Sequence, residues 1–145
     1  MKKLRDRSVL IVDDDARMLR ALGKVLRAEG AVVTEAQWGG DALDFLTSRQ
    51  TRVDLVITDL RMPFVSGMTM VYAIHKIFPA LPIIVLTAYG SPEVKSECLR
   101  QGAAAILEKP LDTTALLEVI HEVVASHGTG REPVEPQGDW NKTSS

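Results

Sequence analysis

Apolar residues follow two alternating rhythms along the chain. Short uninterrupted runs, Val9-Leu-Ile-Val12, Ala31-Val-Val-Thr34, Leu55-Val-Ile57, Ile83-Ile-Val-Leu86 and Ala104-Ala-Ile-Leu107, are separated by stretches in which apolar residues return every three or four positions. Runs of this length without polar alternation suit strands buried on both faces, as in a parallel sheet covered by helices. Met18, Leu19, Leu22, Val25 and Leu26, with Gly30 as a stop, predict a first helix over residues 15–29. Ala42, Leu43 and Leu46 predict a second over 40–49, and Met70, Val71, Ile74 and Ile77 a third over 67–78, ended by Pro79. Ser91-Pro92-Glu93 reads as a cap followed by proline at the first helical position; it opens a fourth helix that stops at Gly102. A fifth spans 113–126, with Leu116, Ile120 and Val123 facing the sheet and Leu117 and Val124 widening that face. Five strand–helix units predict an α/β fold with a five-stranded, doubly wound parallel sheet.

Composition narrows the function classes. The 145 residues are 46% hydrophobic and 25% charged, the make-up of one globular domain, which we place at 1–127. Residues 128–145, rich in Gly, Pro and polar side chains, read as a flexible linker or C-terminal tail. The 17 Lys+Arg nearly balance the 19 Asp+Glu, and no basic stripe is evident, so direct nucleic acid binding is not expected. The apolar run after the charged start is too short for a signal peptide or a membrane span, which predicts a cytoplasmic protein that makes no membrane contact. The lone Cys98 reads as a small buried or half-buried helix residue, and three scattered His exclude a zinc-type cluster.

In an open α/β sheet, ligands bind beyond the carboxyl ends of the strands. The residues there are Asp13 and Asp14 after strand one, Asp59 after strand three, Thr87 after strand four, and Lys109 with Pro110 after strand five. Each has a plainer reading alone: Asp13, Asp14 and Asp15 as helix caps, Asp59 as a turn residue, Thr87 as a strand end, Lys109 as a surface charge. Their convergence on one edge is what points to chemistry. Crowded carboxylates repel unless a hard, oxygen-preferring divalent cation sits among them, and Mg²⁺ fits best. A carboxylate is a competent covalent acceptor for phosphate, and a lysine and a hydroxyl would share the phosphoryl oxygens with the metal.

Val9-Leu-Ile-Val-Asp-Asp14, Asp54-Leu-Val-Ile-Thr-Asp-Leu-Arg-Met-Pro63 with Gly67, Ile84-Val-Leu-Thr-Ala88, and Gly102-Ala103 leading to Lys109-Pro110 resemble, in order, the motifs of response regulator receiver domains. The resemblance covers roughly residues 8–126 and implies the flavodoxin-like strand order 2-1-3-4-5. It also implies that Asp59 is the phosphoacceptor, with Thr87 and Lys109 contacting phosphoryl oxygens and Pro110 in a cis peptide. Mg²⁺ would be held by Asp13, Asp14, Asp59 and the backbone carbonyl of Arg61. The implied partner is a sensor histidine kinase or phosphotransfer protein, and the implied role a signalling switch rather than an enzyme, with its output elsewhere.

The chain departs from the family pattern at Ile106, where an aromatic switch residue is common, and at Leu111, where Phe is frequent. Arg61 and Tyr89 hold the positions through which family members tune water access to the acceptor, and Tyr89 is the nearest aromatic to Thr87. An Asp-nucleophile phosphatase is a second reading, opposed by Arg61 standing where a second acid is needed. A receiver-like binding module that works without phosphorylation is a third, opposed by the complete acidic set. The fifth helix holds more apolar residues than one stripe needs; either the surplus packs under the loops of a monomer, or phosphorylation strengthens a homodimer through that helix, together with either the fourth helix and fifth strand or the first helix.

Overall fold

A computed structural model describes residues 4–48, 52–60, 67–88 and 90–126 of the chain. Strand and helix alternate throughout: β1 (Ser8–Val12), α1 (Ala16–Ala28), β2 (Val32–Ala36), α2 (Gly39–Thr47), β3 (Leu55–Asp59), α3 (Gly67–Ile77), β4 (Ile83–Thr87), α4 (Pro92–Gln101), β5 (Ala105–Glu108) and α5 (Thr113–Ser126). All four strand pairings are parallel and the order is β2-β1-β3-β4-β5. The expected flavodoxin-like, doubly wound sheet is therefore present.

Each strand's alternating side chains feed two cores. Leu10, Val12, Val56, Ile83 and Val85 point to one face, packed by Ala42, Leu46, Met70, Val71, Ile74 and Cys98 of α2, α3 and α4. Val9, Ile11, Leu55, Ile57, Ile84 and Leu86 point to the other, covered by Leu19, Leu22 and Leu26 of α1 and Leu116, Ile120, Val123 and Val124 of α5. The central strands β3 and β4 are buried along their whole length, as uninterrupted apolar runs require.

The edge strands depart from that expectation. β2 begins at Val32, which is 60% exposed, and β5 has no fully buried residue. With a neighbour on one side only, an edge strand lacks half its cover. Ile106 is accordingly half-buried, packed against the α2–α3–α4 core.

The fold decides two further points. The apolar surplus on α5 goes into the core: Leu117 and Val119 are half-buried against the cluster shared with α1, and the large exposed hydrophobics among the described residues, Val32, Trp38, Tyr72 and Leu99, lie elsewhere. A basic stripe does exist. Arg17, Arg20, Lys24 and Arg27 recur at helical spacing along α1, all exposed, because a three- to four-residue period gathers onto one face charges that the chain-wide balance conceals.

The helix ends are set by local chemistry. Asp15 caps α1, its Oδ1 accepting from the N–H groups of Arg17 at 2.9 Å and Met18 at 3.3 Å. Ser91 caps α4 by accepting from the Val94 N–H at 3.2 Å, and Gly102 ends it at φ 118°, in the left-handed region that favours glycine. Asp112 caps α5 through the N–H groups of Thr114 and Ala115.

Candidate functional site

Because every strand runs the same way, the carboxyl ends of β1, β3, β4 and β5 share one edge, and the polar residues there meet. Of the three consecutive acids after β1, only Asp15 serves as the helix cap. Asp13 turns inward and is 2% exposed, its Oδ1 accepting from the Asp15 N–H at 2.9 Å, while Asp14 stays exposed at the mouth. Asp59 closes β3 as its last residue and is 6% exposed. One carboxylate oxygen from each of Asp13, Asp14 and Asp59 lies within 4.8 Å of the others.

Lys109 enters from the opposite side. Its Nζ lies 3.1 Å from Asp59 Oδ1 and 3.4 Å from Asp13 Oδ2, so a single ammonium bridges the two buried acids. Its backbone is tied to β4, the Lys109 N–H donating to the Thr87 carbonyl at 2.8 Å. Thr87 ends β4 and is buried beside the acceptor strand, where Asp59 pairs with Leu86 in register. The Lys109–Pro110 peptide is cis, as the resemblance implied, and Pro110 itself is exposed.

The electrostatics follow from this packing. Burial pushes the Asp13 carboxyl above its ordinary value, and the nearby Asp59 charge adds to the effect; the Asp15 N–H and the Lys109 ammonium offset it only in part. Burial alone would lower the Lys109 ammonium, but its hydrogen bonds and charge interactions with Asp59 and Asp13 outweigh that cost and raise it. Lys109 is thus held cationic between two acids.

The donor set is all oxygen, with two buried carboxylates and one exposed, which suits a hard divalent cation that retains part of its water shell. Arg61 and Tyr89, singled out as metal ligand and tuning residues, lie outside the described residues, as do Met62, Pro63 and the tail from 128 onward. Leu111 is half-buried against the α1–α5 core, a packing position open to an aliphatic side chain.

Two features escaped the sequence. Lys95 of α4 and Glu108 of β5 form an ion pair at 2.6 Å over Gly90, where any β-carbon would meet Glu108 and Lys95 at 2.7 Å. Gly67 opens α3 so close to β3 that a β-carbon would overlap the backbone of Asp59 and Leu60. The first depends on an approach of α4 to β5 that no local pattern encodes; Gly67 itself was legible as a motif residue, its contact with the β3 backbone was not.

A model of the response regulator receiver domain matches residues 9–121. The transcriptional regulatory protein GlrR of Escherichia coli (strain K12) is 40% identical over 116 residues, covering 80% of this chain and 26% of that protein. ZraR of Salmonella typhimurium is 38% identical over 125 residues, covering 86% and 28%. The chain thus spans about a quarter of the length of these curated relatives. Among solved structures, a CheY-like response regulator receiver domain protein from Methanospirillum hungatei JF-1 superposes with a TM-score of 0.79 at 30% identity, covering 84% of this chain and 96% of that one. A response regulator receiver protein from Pseudomonas putida gives 0.75 at 33%, covering 81% and 97%.

Proposed function

The chain belongs to the response regulator receiver domain family of two-component systems, and from that premise we propose that Asp59 accepts a phosphoryl group from the phosphohistidine of a sensor histidine kinase or phosphotransfer protein. The observation that carries this reading is the bridge from Lys109 to a buried Asp59 beside two further acids. A carboxylate oxygen of Asp59 attacks phosphorus, a P–O bond forms, the P–N bond to the donor imidazole breaks, and the imidazole leaves to take up a proton. Lys109 is placed to follow the charge onto the phosphoryl oxygens, and Thr87 to offer its hydroxyl to another.

Asp13, Asp14 and Asp59 would hold Mg²⁺, with the Arg61 carbonyl as a further ligand. The ion, when bound, neutralises charge on the transferring group. Lys109 cannot do this alone, since it already answers two carboxylates. The phosphorylated state would draw Thr87 and Lys109 toward the new oxygens and shift the face of α4, β5 and α5 between two populations, with Ile106 repacking where other receivers use an aromatic ring. The names of the curated relatives favour transcription as the output. Among the described residues no helix is long and apolar enough to cross a membrane, which accords with a cytoplasmic switch.

The phosphatase reading predicts turnover of small phosphoesters, and the binding-module reading predicts no covalent phosphate. Incubating the chain with a small acyl phosphate, with Mg²⁺ and with chelator, separates all three. A Mg²⁺-dependent gain of one phosphoryl group without phosphoester turnover is expected; steady phosphoester hydrolysis, or no gain in mass, would contradict the proposal.

A further inference from the structure

Thr87 ends β4 and stands in register with Glu108, the last residue of β5, while Lys109 follows directly and donates its N–H to the Thr87 carbonyl at 2.8 Å. The two groups meant for the phosphoryl oxygens thus share one strand pair. Beyond Thr87 the chain passes Gly90 and the cap Ser91 into α4, and from α4 the Lys95 ammonium reaches back to Glu108 Oε1 at 2.6 Å. The two side chains close over Gly90, where a β-carbon would meet Glu108 Oε1 and Lys95 Cε, each at 2.7 Å. One ion pair therefore ties the segment after Thr87 to the residue before Lys109.

The folding of α4 does not call for this link, since the helix has its own cap in Ser91, its own stop in Gly102 and its own seat in the core through Cys98 and Val94. With side chains 43% and 49% exposed, the pair adds little to stability. Its placement is the informative feature. It coexists with the direct contact of Lys109 on Asp59 at 3.1 Å, the arrangement that a phosphoryl group on Asp59 has to displace. Gly90 leaves the room in which the two side chains meet, and a larger residue there would strike their mobile ends and wedge them apart.

We propose that Lys95 and Glu108 are positioning residues for phosphoryl acceptance, an electrostatic latch that holds the turn after Thr87 down on β5 and opens when Thr87 moves to a phosphoryl oxygen. The inference rests on the reading of Asp59 as the acceptor. A contact made in only one of two conformations shifts their balance by its own strength and by no more. An exposed pair of ordinary strength thus lowers the competent population about two- to fivefold, and the rate of phosphoryl gain falls with it. That tunes the switch without locking it. Because Lys95 belongs to α4, opening the pair also releases that helix from β5, which couples the event at Asp59 to the outer face of the domain.

The test is the rate at which the 145-residue chain gains phosphate from acetyl phosphate with Mg²⁺. Lys95→Gln, Glu108→Gln and Gly90→Ala each open the pair by a different route, and each should speed the gain about two- to fivefold. The double variant Lys95→Gln with Glu108→Gln should be no faster than either single, because one interaction is broken only once. Simple attraction of the anionic donor predicts otherwise: losing the cation at 95 would slow the gain and losing the anion at 108 would speed it. Exchanging the charges, Lys95→Glu with Glu108→Lys, re-forms the pair and should restore the rate of the unaltered chain. Arg100→Gln breaks a 2.6 Å pair with Glu97 that lies within α4 and should leave the rate unchanged. Single variants that move in opposite directions, effects that add, or one common rate in every protein would overturn the latch and leave the acceptor standing. No phosphate on the unaltered chain would instead fail the acceptor assignment, and the latch with it. Where a variant does not fold, NMR of the unaltered chain decides: the Glu108 carboxyl signal should shift on phosphorylation as the pair opens, and an unmoved signal would overturn the proposal.

Discussion

Lys109 Nζ stands 3.1 Å from Asp59 Oδ1 and, on its other side, 3.4 Å from Asp13 Oδ2. One cation therefore answers two carboxylates that sit closer to each other than their charges favour. Replacing Lys109 by Ala leaves both acids without it, at a cost of roughly 1–3 kcal/mol for the unpaired buried charge. Urea denaturation in chelator should register that loss, and added Mg²⁺ should recover more stability in Lys109→Ala than in the unaltered chain. Equal stabilisation of the two proteins by Mg²⁺ would mean that lysine and metal do not answer the same charges.

The buried Asp13 makes the metal-free site pH-sensitive. Its folded carboxyl is raised above the ordinary value of 3.8 by burial, with Asp59 adding to the shift. A group raised on folding contributes stability that is fully present below its ordinary value and is lost as pH rises through the folded value. Asp13→Asn removes that loss, so without metal the variant should be the more stable protein at neutral pH. Its advantage should shrink as pH falls through the raised value. Denaturation midpoints followed from neutral to acid pH test this, and an advantage independent of pH would contradict it.

Gly67 lets α3 begin against the backbone of Asp59 and Leu60, and its N–H donates to the Leu60 carbonyl at 2.9 Å. Gly67→Ala forces that junction apart at a cost of about 1–3 kcal/mol, the usual range for overpacking. Since the displaced backbone is that of the acceptor itself, phosphoryl gain should fall by more than the loss of folded protein accounts for. Rates measured where the variant is still fully folded make the comparison; an unchanged rate would show that the close approach serves stability alone.

Legibility in the sequence followed the range of the physics involved. The central strands were readable because burial on both faces leaves an apolar run, and the caps Asp15 and Ser91 because a cap is a local hydrogen bond. The apolar rule placed the end of β3 at Ile57, whereas the strand continues through buried Thr58 and Asp59, polar residues held at the edge where the site forms. β2 runs on to Val32–Ala36 because an edge strand tolerates a charged residue such as Glu35, which an apolar run excludes. Of the candidate site residues, Asp13, Asp14, Asp59, Thr87 and Lys109 share the strand ends as expected, since topology alone gathers them there. The half-burial of Val119 and the Lys95–Glu108 pair over Gly90 depend on tertiary approach and left no local mark.

The central claim is that Asp59 carries the phosphoryl group, and the most direct measurement is the site of covalent phosphate after reaction with a small acyl phosphate and Mg²⁺. Borohydride reduction of the acyl phosphate followed by peptide mass mapping locates it. The account predicts one modified residue, Asp59, with no incorporation in Asp59→Asn while that variant keeps its fold. Incorporation into Asp59→Asn at the level of the unaltered chain, or mapping to Asp13, Asp14 or a histidine, would contradict it.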